Sequence, residues 1–257
     1  MKTPRVLYED NHLLVIDKPC GLATQGAQSG VDSVAMWAAS YIKIKYRKPG
    51  NVFVGIVSRL DAAASGILVL ARTSKAASRL SDQIRQRLTS KRYLAVVEGR
   101  LNQGAFGDTV GYREVVHYLR KNDSEHKMET VREMDTGAQI AISRLRALQE
   151  LESFSVAEID LVTGRKHQIR VQLSAIGNPV LGDRKYGASQ NNRNLVRGSH
   201  QIFLHCYQLT VQHPTRRDLM TFHAYPNHWS EVLRRLNFDS QPLKLMCTAA
   251  GDAPRES

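Results

Sequence analysis

The chain has 257 residues, of which 42% are hydrophobic and 23% charged, and 36 Lys and Arg against 24 Asp and Glu give a formal net charge of +12. This composition is typical of a folded globular chain and excludes a mainly disordered one. No apolar stretch approaches the 18 residues of a membrane-spanning helix, so we expect no membrane association. Three cysteines without a CxxC spacing favour neither a disulfide framework nor a zinc site, and we expect a cytoplasmic protein.

Hydrophobic periodicity predicts an alternation of strands and helices along the chain. The predicted strands cover residues 6–8, 12–16, 52–57, 67–70, 93–97, 138–148, 154–162, 202–211 and 220–222. The predicted helices cover residues 33–46, 73–88, 166–176 and 227–236. We interpret residues 102–136 as loops with a strand pair. We expect one domain over residues 1–238 and a flexible tail over residues 239–257.

The positive charge is clustered. Residues 72–100 contain eight basic side chains and two acidic ones, and Lys43, Lys45, Arg47 and Lys48 form a second run beside Tyr41 and Tyr46. A third group comprises Arg184, Lys185, Arg193 and Arg197. Such patches favour binding to a nucleic-acid backbone, and a solvated basic surface that binds nothing is the alternative.

The segment at residues 57–66, VSRLDAAASG, carries the clearest chemical signal. It lies between two predicted core strands, so its polar side chains would be held on a rigid mount. Arg59 and Asp61 are two residues apart and share a side if the backbone is extended. An isolated R-x-D pair is more often a surface ion pair, so the rest of the sequence must decide.

The RLD at residues 59–61 followed by SG at 65–66 resembles the R-L-D-x-x-T-S-G motif of the RluA-type pseudouridine synthases. Five further blocks resemble this family in order and spacing. They are YED and the VIDKPCGL block at 8–22, KRYLAVVEG at 91–99, TGRKHQIRVQL at 163–173, PVLGD with YG at 179–187, and LHC to HP at 204–214. The resemblance implies an α+β fold with a mixed, mainly antiparallel sheet, flanking helices and a central active-site cleft.

The resemblance implies that the protein isomerises specific uridines of ribosomal or transfer RNA to pseudouridine without a cofactor or metal. We expect it to be a monomer. It implies that Asp61 is the catalytic carboxylate, that Tyr93 stacks on the target uracil and is a candidate for removing the C5 proton, and that Arg170 pairs with Asp61. Arg59 would fill the space left by the flipped nucleotide. We predict these RNA-binding residues: Arg59, Arg79, Arg85, Lys91, Arg92, Arg165 and His167.

Two positions depart from the family pattern, because Ser58 stands where the family has His and Ala64 where it has Thr. These departures motivate an alternative, a catalytically weak RNA-binding protein that retains the fold. A glycosidase-type hydrolase is a further alternative, although that chemistry needs a second carboxylate and none lies near Asp61 in sequence. The histidines follow no zinc template, so we expect no metal. The chain starts close to the first matching block, so we expect no separate N-terminal RNA-binding domain.

Overall fold

The computed structural model describes residues 3–26, 32–101, 111–189, 192, 195 and 201–248. The predictions made for residues 102–110, Arg193, Arg197 and 249–257 lie outside these ranges. The chain divides into two compact units, each described by itself. Unit 1 comprises Met1–Thr89, Cys206–Pro226 and Leu243–Ser257, and unit 2 comprises Ser90–His205 and Asn227–Pro242.

The strands and helices alternate as the sequence predicts. The strands are β1 (Arg5–Glu9), β2 (Leu13–Lys18), β3 (Gly55–Ile56), β4 (Ser65–Ala71), β5 (Ser90–Glu98), β6 (Arg113–Asn122), β7 (Lys127–Val131), β8 (Gln139–Glu150), β9 (Phe154–Leu161), β10 (Leu204–Gln212) and β11 (Leu219–His223). The helices are α1 (Val34–Lys45), α2 (Ser74–Arg85), α3 (Gln168–Ala175), α4 (Ser230–Arg235) and α5 (Gln241–Thr248).

Unit 1 is organised around β4, whose seven residues are all buried. A continuous apolar run of this kind is typical of a strand covered on both faces. In the sheet, β1, β2, β4, β10 and β11 lie side by side in that order, and β3 pairs with β4. Strands β2 and β4 are antiparallel, with Lys18 opposite Gly66. This register places a lysine and a glycine directly beside the segment that carries Asp61.

Both long helices of unit 1 begin at the residues that the sequence indicates. The Ser33 hydroxyl accepts a hydrogen bond from the Met36 N–H, and the Thr73 hydroxyl accepts one from the Ala76 N–H, at 3.3 and 3.1 Å. Each bond satisfies an amide that would otherwise lack a partner in the first turn. The helix predicted from 33 to 46 therefore matches α1 together with its two caps.

Unit 2 contains an antiparallel sheet in the order β5, β9, β8, β6, β7. The strand pair expected within residues 102–136 is the β6–β7 hairpin, in which Tyr118 lies opposite Val131 and Asn122 opposite Lys127. Helix α3 covers part of this sheet. One apolar cluster there comprises Leu119, Met128, Ala141, Val171 and Tyr186.

The structure differs from the prediction in several places. The strand predicted at 52–57 is reduced to Gly55–Ile56, because Phe53 is 49% exposed and the segment before Gly55 does not pair. Helix α3 begins at Gln168 rather than 166, since His167 has a left-handed φ of 53°. Part of the expected tail forms α5, whose Leu243 is fully buried. Apolar contacts with the folded chain therefore order a segment that its composition suggested would fray.

No helix within the described ranges is both long enough and apolar enough to cross a membrane.

A part-buried polar network centred on Asp10 joins the segment between β1 and β2 to the end of β10. Its carboxylate accepts hydrogen bonds from the His12 and Leu13 N–H groups, both at 2.7 Å, from the Tyr8 hydroxyl at 2.9 Å and from the His213 ring at 2.7 Å. Burial alone would raise the pKa of Asp10, but these hydrogen bonds outweigh it and lower that pKa below 3.8. The ionised carboxylate therefore stabilises the folded state.

We expect Asp10→Asn to lower the free energy of unfolding at neutral pH by about 1–3 kcal/mol, because charge-assisted hydrogen bonds are lost. The pKa of Asp10 is lowered by folding, so the wild-type advantage is complete well above 3.8 and declines as the pH falls below that value. Urea unfolding of both proteins across this range measures the difference, with Asp32→Asn, an exposed change, as the control. If the difference in free energy of unfolding between the wild type and Asp10→Asn does not become smaller in acid, Asp10 is not ionised and stabilising as described.

Candidate active site

Asp61 lies in the short segment that connects β3 to β4. Leu60 is buried and anchors the segment, whereas Arg59 is exposed and Asp61 is half-buried. The Ala64 N–H donates to the Asp61 carbonyl at 3.1 Å, which closes a turn immediately after the aspartate. The side chain of Leu60 enters the core, whereas those of Arg59 and Asp61 lie outside it. Arg59 and Asp61 therefore share one side of the segment, as the sequence predicts.

The ammonium group of Lys18 holds this turn from the core side. Lys18 is fully buried, and its Nζ donates to the carbonyl oxygens of Ala64 at 2.6 Å, Leu22 at 2.9 Å and Pro19 at 3.0 Å, with the Ala62 carbonyl at 3.4 Å. A buried ammonium is costly unless its donors are satisfied, and carbonyl dipoles satisfy them here. Two of these carbonyls follow Asp61 within three residues, so the buried charge fixes the backbone that carries the carboxylate.

Two further contacts from the segment after β2 fix the same turn. The Thr24 hydroxyl donates to the Leu60 carbonyl at 2.8 Å and accepts from the Leu60 N–H at 3.1 Å. The Gly21 N–H donates to the Ala62 carbonyl at 2.7 Å. Residues on both sides of Asp61 are therefore hydrogen-bonded to one neighbouring segment, and the aspartate lies between fixed points.

Gly66 permits the close approach of two strands beneath the turn. Its φ is +114°, and a Cβ added there would lie 2.3 Å from the Cys206 carbonyl oxygen and 2.5 Å from the Cys206 nitrogen. Only glycine accommodates both this backbone conformation and this proximity. The glycine of the motif therefore serves the packing of β4 against β10.

The two departures from the family pattern have different surroundings. Ala64 is buried, and its contribution to the site is its carbonyl, which any residue could supply to Lys18. Ser58 is half-buried, and its hydroxyl oxygen is buried without a hydrogen-bond partner among the described residues. The change at 64 therefore leaves the Lys18 clamp intact.

Arg170 lies in unit 2, in the buried face of α3. Its Nε donates to Asp183 Oδ2 at 2.6 Å and an Nη donates to Oδ1 at 2.8 Å, and its guanidinium lies 4.8 Å from the centre of the Tyr186 ring. Both residues are less than a tenth exposed. This bidentate pair fixes the plane of the guanidinium. The sequence indicates Arg170 as a site residue but not Asp183 as its partner. The pairing of Arg170 with Asp61 stays a prediction.

Helix α3 is fixed to the sheet by two glutamines. Gln172 Nε2 donates to the Val115 and Ala141 carbonyls, both at 3.0 Å, and its Oε1 accepts from the Ser143 hydroxyl at 2.7 Å. Gln168 Nε2 donates to the Ser143 hydroxyl at 3.0 Å, and its Oε1 accepts from the Thr163 hydroxyl at 2.8 Å. A satisfied buried network of this kind specifies one rotation of the helix. It therefore determines where Arg170 points.

Tyr93 lies in unit 2 on β5, opposite Ile159 of β9, and is 5% exposed. The residue before it, Arg92, approaches the fully buried carboxylate of Glu158 at 3.9 Å. Glu158 also accepts a hydrogen bond from the Tyr112 hydroxyl at 2.8 Å and pairs with Arg146. Alternation along the strand separates Tyr93 from this ion pair, which occupies the other face.

The predicted RNA-binding residues divide between the two units. Arg59, Arg79 and Arg85 belong to unit 1, and Lys91, Arg92, Arg165 and His167 belong to unit 2. Several of them have structural partners. Arg79 donates to the Pro214 carbonyl at 2.6 Å, Arg85 pairs with Asp82, Arg165 donates to the Ile140 carbonyl at 3.1 Å, and His167 Nδ1 lies 2.7 Å from the Tyr186 hydroxyl. Their RNA-binding role stays a prediction.

Lys18, Asp183 and Tyr186 lie within the motifs, but the sequence alone assigns them no role. Each lies far along the chain from its partner or in a different motif, so only the folded chain reveals the contact. Their position inside motifs was the available signal. No group of three or more His, Cys, Asp or Glu side chains in the described ranges is arranged to hold a metal ion.

Comparison with known proteins identifies the family. The sequence model described as RNA pseudouridylate synthase matches residues 12–175. Ribosomal large subunit pseudouridine synthase D of Pseudomonas aeruginosa is 34% identical over 81% of this chain, and an uncharacterized RNA pseudouridine synthase of Bacillus subtilis, YhcT, is 31% identical over 85%. The match spans 64% of the length of the Pseudomonas protein and 67% of that of YhcT.

The structure of human RNA pseudouridylate synthase domain containing 4 has the same fold. It is 23% identical, with a TM-score of 0.72 over 91% of this chain and 94% of that one. The α+β pseudouridine synthase fold predicted from the sequence is thereby confirmed. The chain belongs to the RNA pseudouridylate synthase family, as the motifs indicated, and the members of this family are isomerases.

We expect Lys18→Met to lower the free energy of unfolding by about 2–4 kcal/mol, because it leaves several buried carbonyls without a donor. Lys75→Met, at an exposed position of α2, should change it by no more than about 0.5 kcal/mol. Denaturant titration of the three proteins makes the comparison. Equal midpoints for the two variants would show that Lys18 does not clamp the turn.

We expect Gly66→Ala to destabilise by about 2–4 kcal/mol, because the added methyl meets the Cys206 backbone and the positive φ disfavours alanine. Gly164→Ala is the matched control, since a Cβ there has nothing within 4 Å and no positive φ is involved. Thermal unfolding distinguishes them, and a Gly66→Ala protein as stable as the Gly164→Ala protein would refute the close approach of β4 and β10.

Proposed function

We propose that the protein is an RNA pseudouridine synthase that converts specific uridines of ribosomal or transfer RNA to pseudouridine, with Asp61 as its catalytic carboxylate. The observation that carries the proposal is the fixed turn at Asp61, clamped by Lys18 and Thr24, in a chain of this family. A carboxylate used in catalysis needs a defined position, and this backbone provides it.

The reaction breaks the N1–C1′ bond, rotates the uracil and forms a C5–C1′ bond, after which C5 loses a proton and N1 carries one. Substrate and product are isomers, so no oxidant or reductant takes part. Asp61 acts either by attacking the uracil ring or by transiently separating the base from C1′. A stacked uridine hides these atoms from a protein carboxylate, so the nucleotide must leave the stack.

The remaining residues are proposed to support this step. Tyr93 offers a ring to the uracil and is the candidate for removing the C5 proton. Arg170 pairs with Asp61 and orients it, through a guanidinium whose plane Asp183 fixes. Arg59, exposed beside Asp61, occupies the space of the flipped nucleotide.

The name of the Pseudomonas relative, ribosomal large subunit pseudouridine synthase D, favours ribosomal RNA as the substrate class. The net charge of +12 is complementary to a polyphosphate backbone. We further propose that the protein acts in the cytoplasm as a monomer.

Release of tritium from RNA labelled at C5 of uridine tests the proposal, with transcripts of large-subunit ribosomal RNA and of transfer RNA as separate substrates. We expect Asp61→Asn to reduce release at least about a thousandfold while RNA binding persists, because the carboxylate reacts directly. Asp32→Asn, at an exposed position, should release tritium at the wild-type rate.

If the wild-type protein binds these RNAs but releases no tritium from either, the isomerase proposal fails and the catalytically weak RNA-binding protein is the better description. Retained release in Asp61→Asn would instead remove Asp61 from its catalytic role.

A further inference from the structure

We infer that the C-terminal end of α1 and the turn after it form a second RNA-contacting surface, apart from the Asp61 turn, that binds a single-stranded segment of the substrate. This α1-end surface consists of Lys43, Ile44, Tyr46, Arg47 and Lys48. The inference rests on the proposed function for the identity of the partner. It adds a contact region to which the proposed reaction assigns no role.

The α1-end surface combines exposed positive charge with exposed apolar area. Lys43, Arg47 and Lys48 are exposed, Ile44 is 78% exposed and Tyr46 is 40% exposed. No acidic side chain of the described chain pairs with Lys43, Arg47 or Lys48, whereas the nearby Lys45 pairs with Glu9. The carboxylate of Glu9 is thus already paired with Lys45, and the charges of Lys43, Arg47 and Lys48 remain exposed to solvent.

The ring of Tyr46 is held in place rather than mobile. The guanidinium of Arg72 lies 4.2 Å from the centre of that ring, and its Nη1 donates to the Tyr46 hydroxyl at 3.1 Å. The same Nη1 donates to the Asp10 carbonyl, so the arginine is itself anchored. An aromatic ring ordered in advance loses little conformational entropy when a base stacks on it.

In the turn after α1, Arg47 occupies a backbone position that favours glycine. The Lys48 N–H donates to the Lys43 carbonyl at 3.0 Å, which closes the end of the helix, and Arg47 has a left-handed φ of 49°. Glycine is the usual residue at such a position because a Cβ is disfavoured there. An arginine at this point of the turn projects its charge beyond the helix end, next to Tyr46 and Lys48.

Single-stranded RNA fits this chemistry better than an acidic protein segment does. Cations spaced along a turn contact successive phosphates, and a base-sized ring between them offers a stacking platform that tolerates any sequence. A carboxylate-bearing peptide would use the charges and leave the ring without a planar partner. The contribution of the Tyr46 ring to binding affinity therefore distinguishes RNA from an acidic peptide.

The test measures the Kd for a fluorescein-labelled oligouridine of about 20 nucleotides by anisotropy, at low and at moderate salt. We expect Arg47→Gly to raise the Kd about 3- to 10-fold and to reduce the slope of log affinity against log salt by about 0.7, the contribution of one phosphate contact. Its thermal midpoint should be unchanged or higher, because glycine suits the left-handed position.

Arg217→Gly is the matched control. Arg217 is exposed and has a left-handed φ of 69°, so the substitution removes the same charge from the same kind of backbone position elsewhere in unit 1. We expect its Kd to stay within about twofold of the wild-type value, since a charge that makes no phosphate contact contributes only a screened field.

Tyr46→Ala should weaken binding roughly 10-fold through loss of stacking, and Tyr46→Phe, which keeps the ring, should bind as the wild type does. Equal affinities for Arg47→Gly and Arg217→Gly, or unchanged binding by Tyr46→Ala, would overturn the inference. Weaker binding by Tyr46→Ala together with wild-type binding by Arg217→Gly supports it. Because binding is measured without turnover, an absence of tritium release would refute the proposed function while these binding results still decide the inference.

Discussion

One buried positive charge, the Lys18 ammonium, organises the turn that presents Asp61. It lies at the end of β2, opposite Gly66, and donates to carbonyls on both the segment after β2 and the segment before β4. A side chain that satisfies several backbone acceptors joins segments that share no strand pairing, and its burial makes each of these bonds strong. Gly66 allows β4 to lie close to β10, and this packing supports the turn that carries Asp61.

Unit 2 uses polar contacts for the same purpose. Gln168 and Gln172 point from α3 into the sheet, and each Nε2 donates two hydrogen bonds to backbone carbonyls or to a neighbouring hydroxyl. Apolar packing tolerates small rotations of a helix, whereas a network of directional amide hydrogen bonds does not. The Arg170–Asp183 pair therefore inherits its orientation from these glutamines. In both units the residues proposed for chemistry are placed by buried polar side chains that do not themselves react.

The parts of the fold that were predictable are those with local causes. Ser33 and Thr73 predict the N-terminal caps of α1 and α2, and a continuous apolar run predicts β4. Helix α5 was missed because the burial of Leu243 depends on the rest of the fold and not on its own segment. The candidate residues came from motif resemblance, but the partners of Lys18 and Arg170 required the folded chain, since hydrogen bonds between distant segments leave no periodic trace in the sequence.

The structure distinguishes basic side chains that are paired within the protein from those that are available to bind RNA. Composition treats every Arg and Lys as equally able to meet RNA, yet Arg170 is committed to Asp183, Arg79 to a backbone carbonyl, and Arg92 lies beside Glu158. A cation already paired within the protein must lose that partner before it can hold a phosphate, which reduces what it gains. The basic run at residues 43–48 differs, because Lys43, Arg47 and Lys48 have no acidic partner among the described residues, whereas Lys45 pairs with Glu9. The capacity to bind a polyanion therefore depends less on the net charge of +12 than on which cations the fold leaves unsatisfied.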